Sequence, residues 1–581
     1  MAESYGKHGG GWLLQPPDEI ATPEDFDETT VMIAEATRAF VAHDVAPLLD
    51  RMEHGEVELN RPLLRKAGEL GLLGIETPER FGGLDLPKSV STVVAQELAG
   101  AGGFATTYGA HTSIGMLPIV YFGTPAQQER YLPALVSGER CAAYALTEPG
   151  SGSDALAAKT RADLSADGST YVLNGSKMWI SNAGIADLFI VFAKVGGEAF
   201  TGFIVERDTP GLTLGAEERK MGIKSSSTRS VSFENAPVPV ENVLGEVGRG
   251  HKIAFSALNV GRYKLGAGAV GAAIGALGLT TVYAKERHQF GRPIASFGLM
   301  QQKLAQMATR IFVTESSVYR TLGRIDAALE GCEGAAALAG IEEYAIESSI
   351  IKVLGSETLD FCVDEGVQIH GGLGYSGEMP IERAYRDSRI GRIYEGTNEI
   401  NRLLIPGMLL KRAAAGRLPL LAASATPLDR RRDGPDDREI AKVADLKRLV
   451  LLVAGAATRR FGPKLDEEQE VLAAVADVVI AVYSAESGLL RARRLGIEPY
   501  LAMARLALAR ACSESESGIA NVLPRLAQDD ELRALLKALR RFAEHEPIDT
   551  VALGRSIADA VIEQNGYPRP RVRLEAGNVR A

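Results

Sequence analysis

The chain has 581 residues, of which 46% are hydrophobic and 24% charged, and its net charge is −10. This length is too great for a single hydrophobic core and predicts three or four domains of ordinary globular composition. The negative charge argues against a nucleic-acid partner, because neutralising phosphates requires a basic surface.

The first half of the chain changes from a helical to a β-rich pattern. Residues 1–28 are predicted to form an irregular N-terminal arm. Residues 29–140 carry the spacing of amphipathic helices, as in the apolar stripe that begins at Val31, with glycine turns between helices. Short aromatic and β-branched runs, such as residues 188–192, then predict a small sandwich or barrel over residues 141–246.

The second half of the chain is predicted to be helical apart from one break. Residues 247–415 are rich in Ala and Leu and include a long candidate helix at 297–329. The charged, proline-containing residues 416–439 indicate a linker, and residues 440–581 are again amphipathic helix. The sequence therefore predicts a mainly α protein with a central β domain and an extra C-terminal helical domain.

Neither a targeting signal nor a metal site is recognisable in the sequence. Residues 1–11 have neither the apolar core nor the Arg/Ser pattern of a targeting peptide. The apolar runs are shorter than the roughly 20 residues that span a bilayer. The cysteines lack a CxxC pair or a His at metal-ligand spacing, and we interpret them as reduced thiols: Cys141, Cys332, Cys362 and Cys512. We expect a cytoplasmic protein that binds no metal.

Four short segments carry the residues that point to a chemistry. The most informative, residues 392–400, places one carboxylate, Glu395, between an aromatic residue and a glycine. It is preceded in order by residues 146–154, 178–181 and 287–291. Together these motifs and their separations resemble the acyl-CoA dehydrogenases, FAD enzymes that desaturate acyl thioesters between the α and β carbons. The resemblance extends over residues 30–412.

The resemblance implies that Glu395 is the base that removes the α proton of the thioester. Burial against a flavin and an acyl chain would raise the pKa of Glu395 toward the working pH. Gly396 would let the backbone approach the substrate, and the Glu395 amide would donate to the thioester oxygen. Some relatives carry the base directly before an arginine that matches Arg262, but here that position is Gly261. The alternative is a loop Glu that pairs with a neighbouring arginine such as Arg392 or Arg389.

The resemblance also implies an FAD site assembled from several loops. Positions that contact FAD within one chain match Tyr144, Leu146, Thr147, Ser153, Trp179, Ser181, Thr397 and Glu399. Positions that reach the FAD of a neighbouring subunit, or hold the adenosine half, match Arg287, Gln289, Phe290, Gln368, Gly371 and Gly372. No GxGxxG motif opens a βαβ unit, so FAD is not expected in a Rossmann fold. The local alternatives are a plain turn at residues 149–152 and a plain core role for Trp179.

Small residues occupy the helix that lines the acyl tail in the family, namely Thr106, Gly109 and Ala110. They would leave a deep cleft, although close helix packing uses the same residues. Further substrate-binding positions implied by the resemblance are Ser153, Asn259, Arg262 and Gly396. For Arg262 the alternative is an arginine on the helix surface.

Two features resemble the very-long-chain branch of the family. One is the motif set at residues 109–115 and 220–226, and the other is the appended C-terminal domain. In tetrameric members a second dimer covers the helical domain, and an appended domain can cover it instead, so we expect a homodimer. The charged linker has little apolar face, which argues against membrane association.

The resemblance therefore implies that residues 247–415 form a four-helix catalytic domain. The expected reaction converts long-chain acyl-CoA to trans-2-enoyl-CoA, with electrons passed through FAD to electron-transfer flavoprotein, as in fatty acid β-oxidation. Two alternatives are an oxidase-like enzyme that reduces oxygen directly and a non-catalytic assembly protein with the same fold. Retention of Glu395 and Trp179 counts against the second.

Overall fold

The computed structural model describes residues 7–15, 19–332, 334–424 and 437–570 of the chain. Within these residues the order of helical and β-rich regions is the one that the sequence predicts. Half of the predicted linker, parts of the N-terminal arm and the last part of the C-terminal region lie outside the described residues.

Helices of the N-terminal domain pack around a core that includes Phe40, Leu64 and Phe104. They are α1 (Glu28–Phe40), α2 (Leu49–Glu53), α3 (Asn60–Glu69), α4 (Lys88–Glu97), α5 (Gly103–Gly109), α6 (Leu117–Phe122) and α7 (Pro125–Val136). Asp27 caps α1 by accepting from the Thr30 amide at 2.7 Å. Helix α5 continues through π-helical turns over Ala110–Met116, and this stretch forms one wall of the site described below.

The β domain is built on an eight-stranded sheet. Its strands are β1 (Ala142–Ala145), β2 (Arg161–Leu164), β3 (Thr170–Ser181), β4 (Leu188–Val195), β5 (Ala199–Glu206), β6 (Leu212–Leu214), β7 (Thr228–Pro239) and β8 (Val243–Leu244). Their order is β6-β7-β3-β2-β4-β5-β8, with β1 also paired to β4. Strand β4 is buried on both faces: Ile190 packs toward α7, whereas Phe189 and Val191 join the core shared with β3 and β7. A strand covered on both faces explains the unbroken apolar run.

A helical bundle follows the sheet. Its helices are α8 (Gly250–Glu286), α9 (Gly298–Leu329), α10 (Gly334–Glu343), α11 (Ala345–His370), α12 (Pro380–Ser388), α13 (Asn398–Ala414) and α14 (Leu420–Ser424). A hairpin of β9 (His288–Gln289) and β10 (Arg292–Pro293) joins α8 to α9. Helix α9 confirms the long helix predicted at 297–329. Helices α8 and α11 touch so closely that a Cβ on Gly355 would lie 2.8 Å from the Cα of Gly266.

The C-terminal domain adds α15 (Arg438–Phe461), α16 (Gln469–Leu495), α17 (Tyr500–Leu526), α18 (Asp529–Ala543) and α19 (Thr550–Glu563). Buried ion pairs attach this domain to the bundle. Arg491 of α16 donates to Glu315 of α9 at 2.8 Å and to Glu24 of the N-terminal arm at 2.6 Å. The arm also inserts Trp12, which is only 6% exposed and lies 4.8 Å from the Tyr483 ring. Domain, bundle and arm therefore share one core.

Two helices, α8 and α16, are long and apolar enough to cross a membrane by length and composition. The sequence estimate from uninterrupted apolar runs missed them, because single polar residues interrupt both. Half of the most apolar window of α8 and 78% of that of α16 are buried inside the protein. Much of their apolar surface is thus already used for packing.

Candidate active site

Glu395 lies in a strained turn between α12 and α13. Its φ is +56° and that of Gly396 is +78°, so a glutamate occupies a left-handed conformation that favours glycine. Hydrogen bonds to a backbone carbonyl hold the turn in place. The Gly396 carbonyl accepts from Lys352 Nζ at 2.7 Å and from Asn401 Nδ2 at 2.8 Å. Thr397 caps α13 by accepting from the Ile400 amide. Strain that the surroundings enforce is typical of a functional residue.

The Glu395 carboxylate has the environment of a weak acid. Its Oε2 is buried and has no hydrogen-bond partner among the described residues. Burial raises the pKa of Glu395 to about 7, although the nearby cations Arg262 and Lys352 act in the opposite direction. A carboxylate with a pKa near neutrality can accept a proton at working pH and release it again.

Among the described residues, Glu395 does not form the ion pair with a neighbouring arginine that was the alternative to a catalytic role. Arg392 pairs instead with Asp360 at 2.8 Å. Arg262 is buried on α8, where its Nη1 donates to Asn259 Oδ1 at 2.9 Å and its Nε donates to the Glu395 carbonyl at 3.3 Å. Arg262 thus holds the backbone of the turn and is not a surface residue.

A cavity of about 340 Å³ opens beside Glu395. One wall is α8, whose lining residues extend from Gly261 to Leu279. At a rise of 1.5 Å per residue these two positions are about 27 Å apart. The opposite wall includes the sequence-predicted residues Thr106, Gly109 and Ala110, and Ser181 also lines the cavity. The result is a long, mainly apolar cleft with the Glu395 carboxylate beside Gly261, at one end of the α8 wall.

Trp179 is oriented outward by a β-bulge. Between Lys177 and Ile180 the pairing of β3 with β7 shifts register, and Trp179 has φ +57°. As a result 60% of Trp179 is exposed, which is unusual for the largest apolar side chain. Next to it, Thr147 accepts from the Met178 amide at 3.0 Å. An open indole beside a polar loop edge fits a flat aromatic cofactor such as a flavin.

A buried ion pair fixes the loop at residues 146–153 to the strand that carries Trp179. Lys177 Nζ lies 2.7 Å from Glu148 and donates to the Leu146 carbonyl at 3.2 Å. Tyr144 packs its ring against Phe192, so its contribution to a cofactor site would come from its backbone. Ser153 is exposed in the same loop, and Thr397 and Glu399 lie at the start of α13.

The remaining predicted cofactor residues lie elsewhere on this chain. They cluster near the hairpin after α8 and the C-terminal end of α11: Arg287, Gln289, Phe290, Gln368, Gly371 and Gly372. All six are exposed, Phe290 by 93%, and none lines the cavity beside Glu395. The two segments meet through Tyr283, whose ring stacks on His370 at 4.3 Å. A single chain therefore does not bring this group to Glu395.

Sequence reasoning missed Lys352 and Asn401, which hold the Glu395 turn, and Tyr394, which lines the cavity. Lys352 is fully buried in α11, and nothing in an amphipathic pattern reveals what a buried lysine contacts. Asn401 and Tyr394 lie within or beside the motif, and their proximity to Glu395 was the available signal.

Four family models match the chain. They are the acyl-CoA dehydrogenase N-terminal domain at residues 27–139, the middle domain at 143–236, and two C-terminal domain models at 248–409 and 445–541. The last of these corresponds to the appended helices α15 to α18. The matches cover both the region of the cavity and the extra domain.

Three similar proteins are informative. A probable acyl-CoA dehydrogenase of Bacillus subtilis is 46% identical over 96% of this chain and 98% of its own length. The human mitochondrial very long-chain specific acyl-CoA dehydrogenase is 44% identical over 58% of this chain and 51% of its own length. The crystal structure of an acyl-CoA dehydrogenase complexed with FAD from Bacillus anthracis superposes with a TM-score of 0.94 and 47% identity, covering 96% of this chain and 99% of the other. The chain belongs to the acyl-CoA dehydrogenase family.

Proposed function

We propose that this protein oxidises long-chain acyl-CoA to trans-2-enoyl-CoA with FAD as its cofactor and electron-transfer flavoprotein as its electron acceptor. The observation that carries the proposal is the position of Glu395 at the wall of a long apolar cleft. Its Oε2 has no hydrogen-bond partner among the described residues, and its pKa is raised to about 7. Family membership supports the reaction class. The FAD-bound relative and the open face of Trp179 support the cofactor.

Each residue of the site has a separate role in removing the α proton. Glu395 accepts the proton, since its desolvated carboxylate is a stronger base than an exposed one. The Glu395 amide is the candidate donor to the thioester oxygen, where negative charge develops as the proton leaves. Lys352, Arg262 and Asn401 keep the turn in place through its carbonyls. Bound FAD supplies the acceptor for the hydride from the β carbon.

The length of the cleft supports a long acyl chain as substrate. The hydrocarbon core of a bilayer is about 30 Å thick and contains two acyl tails end to end. A wall of about 27 Å along α8 therefore leaves room for one long tail. The α8 residues along this wall are mostly small, including Gly268, Ala272 and Gly275. Small side chains keep the cleft open beyond the reacting carbons.

An anaerobic visible spectrum before and after addition of hexadecanoyl-CoA tests the proposal. We expect a yellow protein that the thioester bleaches, and reoxidation by electron-transfer flavoprotein but only slowly by air. Fast reoxidation by air would indicate an oxidase. A protein that takes up no FAD would refute the proposal and favour a non-catalytic role.

Gly109→Gln is expected to shift the preference toward shorter chains. A Cβ on Gly109 meets no atom within 4 Å, so the glutamine enters the cleft without straining the helix. We expect kcat/KM for hexadecanoyl-CoA to fall by about tenfold or more relative to octanoyl-CoA, the scale on which apolar pockets discriminate chain length. Gly407→Gln, at an equally open position outside the cavity, is the matched control. An unchanged preference in Gly109→Gln would assign Gly109 to packing alone.

The rate of bleaching is expected to fall below pH 7. The base is active only when ionised, and its pKa is raised from 4.5 to about 7. Below that pKa, the second-order rate constant for reduction should fall by about tenfold per pH unit, and above it the constant should level off. Stopped-flow bleaching across pH 5.5 to 8.5 would measure the profile. A flat profile would contradict the proposed base.

We further propose that the protein is a homodimer through the surface that carries Phe290. Phe290 is 93% exposed and Leu299 71% exposed, and the Phe290 ring lies 6.0 Å from that of Phe297, so this surface presents several apolar side chains together. This surface holds the predicted FAD contacts that one chain does not bring to Glu395. Sedimentation should show twice the mass of one chain, and Phe290→Asp should lower it. Leu164→Asp, at another exposed leucine, is the control, and an equal effect of both would refute this surface.

A further inference from the structure

Two polar side chains in the wall of the acyl cleft have no role in α-proton removal. They are Ser113, in the π-helical turns after α5, and Lys264, on α8. Both line the same cavity as Glu395. Ser113 is only 2% exposed, and its hydroxyl has no hydrogen-bond partner among the described residues. A purely hydrocarbon ligand would leave this hydroxyl unpaired.

Lys264 also has hydrogen-bonding capacity to spare. Its Nζ lies 2.5 Å from Glu76 Oε1, and Glu76 is shared with Lys88 and Ser91. An ammonium group has three N–H donors, and Glu76 is the partner of Lys264 in the described part of the chain. Glu76 itself would remain paired with Lys88 and Ser91 without Lys264. The buried ammonium is thus available to an acceptor inside the cavity.

The helical positions separate both groups from the Glu395 carboxylate. Gly261 abuts the Glu395 carboxylate, and Lys264 follows it by three residues, or about 4.5 Å along α8. On the opposite wall, Thr106 lies beside Tyr394, and Ser113 is two turns further along the same helical stretch. Lys264 and Ser113 thus both line the cleft at positions away from the contact between Gly261 and Glu395.

We infer that the cleft is built for acyl chains that carry an oxygen, as a hydroxyl or carbonyl, on a carbon beyond the β position. The inference rests on the proposed dehydrogenase function and narrows its substrate class. A hydroxyl group can accept from Lys264 and exchange a hydrogen bond with Ser113, so that both buried groups are paired. A plain alkyl chain leaves them unpaired or separated from it by trapped water.

Anaerobic single-turnover bleaching tests the inference with hexadecanoyl-CoA and a set of hydroxyhexadecanoyl-CoA isomers, in which the hydroxyl moves two carbons at a time. We expect that isomers with the hydroxyl at certain positions reduce the flavin with a second-order rate constant about tenfold above that of the plain chain. This is the effect of a hydrogen bond to a charged group. Lys264→Met should abolish this ratio, and Ser113→Ala should reduce it.

Ser349→Ala is the matched control, because Ser349 is equally buried, has no hydroxyl partner in the part of the chain that the structure describes, and does not line the cavity. It should keep the wild-type ratio. The inference is overturned if no isomer reacts faster than the plain chain, or if the preference survives in both Lys264→Met and Ser113→Ala. Failure of the proposed function would look different, since no acyl-CoA would then bleach the wild-type protein.

Discussion

Glu395→Gln is expected to retain FAD and to lose turnover by about 10⁴-fold, the upper range for loss of a positioned general base. Glutamine keeps the shape of the side chain but cannot take the α proton. The Oε2 atom makes no hydrogen bond in the described part of the protein, so its replacement breaks no contact that holds the turn. The measurement is the rate of anaerobic bleaching together with the flavin-to-protein ratio.

The stability of Glu395→Gln separates lost chemistry from lost structure. Because the folded-state pKa of Glu395 is raised, ionisation of this carboxylate lowers folding stability as the pH rises from about 4.5 through about 7. Glutamine removes that loss, so the variant should be at least as stable as the wild type at pH 8. A lower Tm than that of the wild type at pH 8 would show that the substitution damages the fold and that lost turnover has a structural cause.

Asp387 provides the test of an alternative base, because it is another carboxylate that lines the cavity. Its position argues for a structural role: it accepts from the Ile223 amide and lies near Arg383 and Arg386. Asp387→Asn should therefore cost far less turnover than Glu395→Gln. Equal losses in the two variants would withdraw the assignment of Glu395 as the base.

The domain order was predictable because each domain has its own hydrophobic period. Helical spacing up to about residue 140, the apolar runs of the sheet and the return of helical spacing after residue 250 all appear in the sequence and in the structure. Strand β4 shows the physical reason: a strand buried on both faces must be apolar throughout, and the run at residues 188–192 is. The motif around Glu395 was equally visible, since its residues are adjacent in sequence.

Contacts between distant segments were not predictable from one sequence. Lys352 reaches the Gly396 carbonyl across 44 positions of the chain, and Arg491 joins the N-terminal arm across 467. Such contacts depend on how helices pack, and local periodicity contains no information about helix pairing. The arm was expected to be irregular, and only the structure shows that Trp12 is buried in the shared core.

Gly261 affects both the packing around Glu395 and the choice of the catalytic base, and the sequence alone shows only the second. The sequence shows that glycine cannot compete with Glu395 for the proton. The structure adds that a Cβ at this position would lie 2.5 Å from Oε2 and 2.8 Å from Oε1 of Glu395. The absence of a side chain on α8 therefore creates the space that the catalytic carboxylate occupies.

Gly261→Ala is accordingly expected to fold normally and to lose about 10²-fold in turnover, the effect of a displacement of about 1 Å at a reacting group. The atoms that the new methyl group meets belong to the end of a flexible side chain, so the carboxylate moves and the helix does not. Gly407→Ala, where a Cβ meets nothing within 4 Å, controls for the general effect of alanine in a helix and should keep wild-type turnover. Bleaching by hexadecanoyl-CoA and the melting temperature together decide the outcome. If Gly261→Ala turns over at the wild-type rate, the position of the Glu395 carboxylate against α8 is not the one used in the reaction.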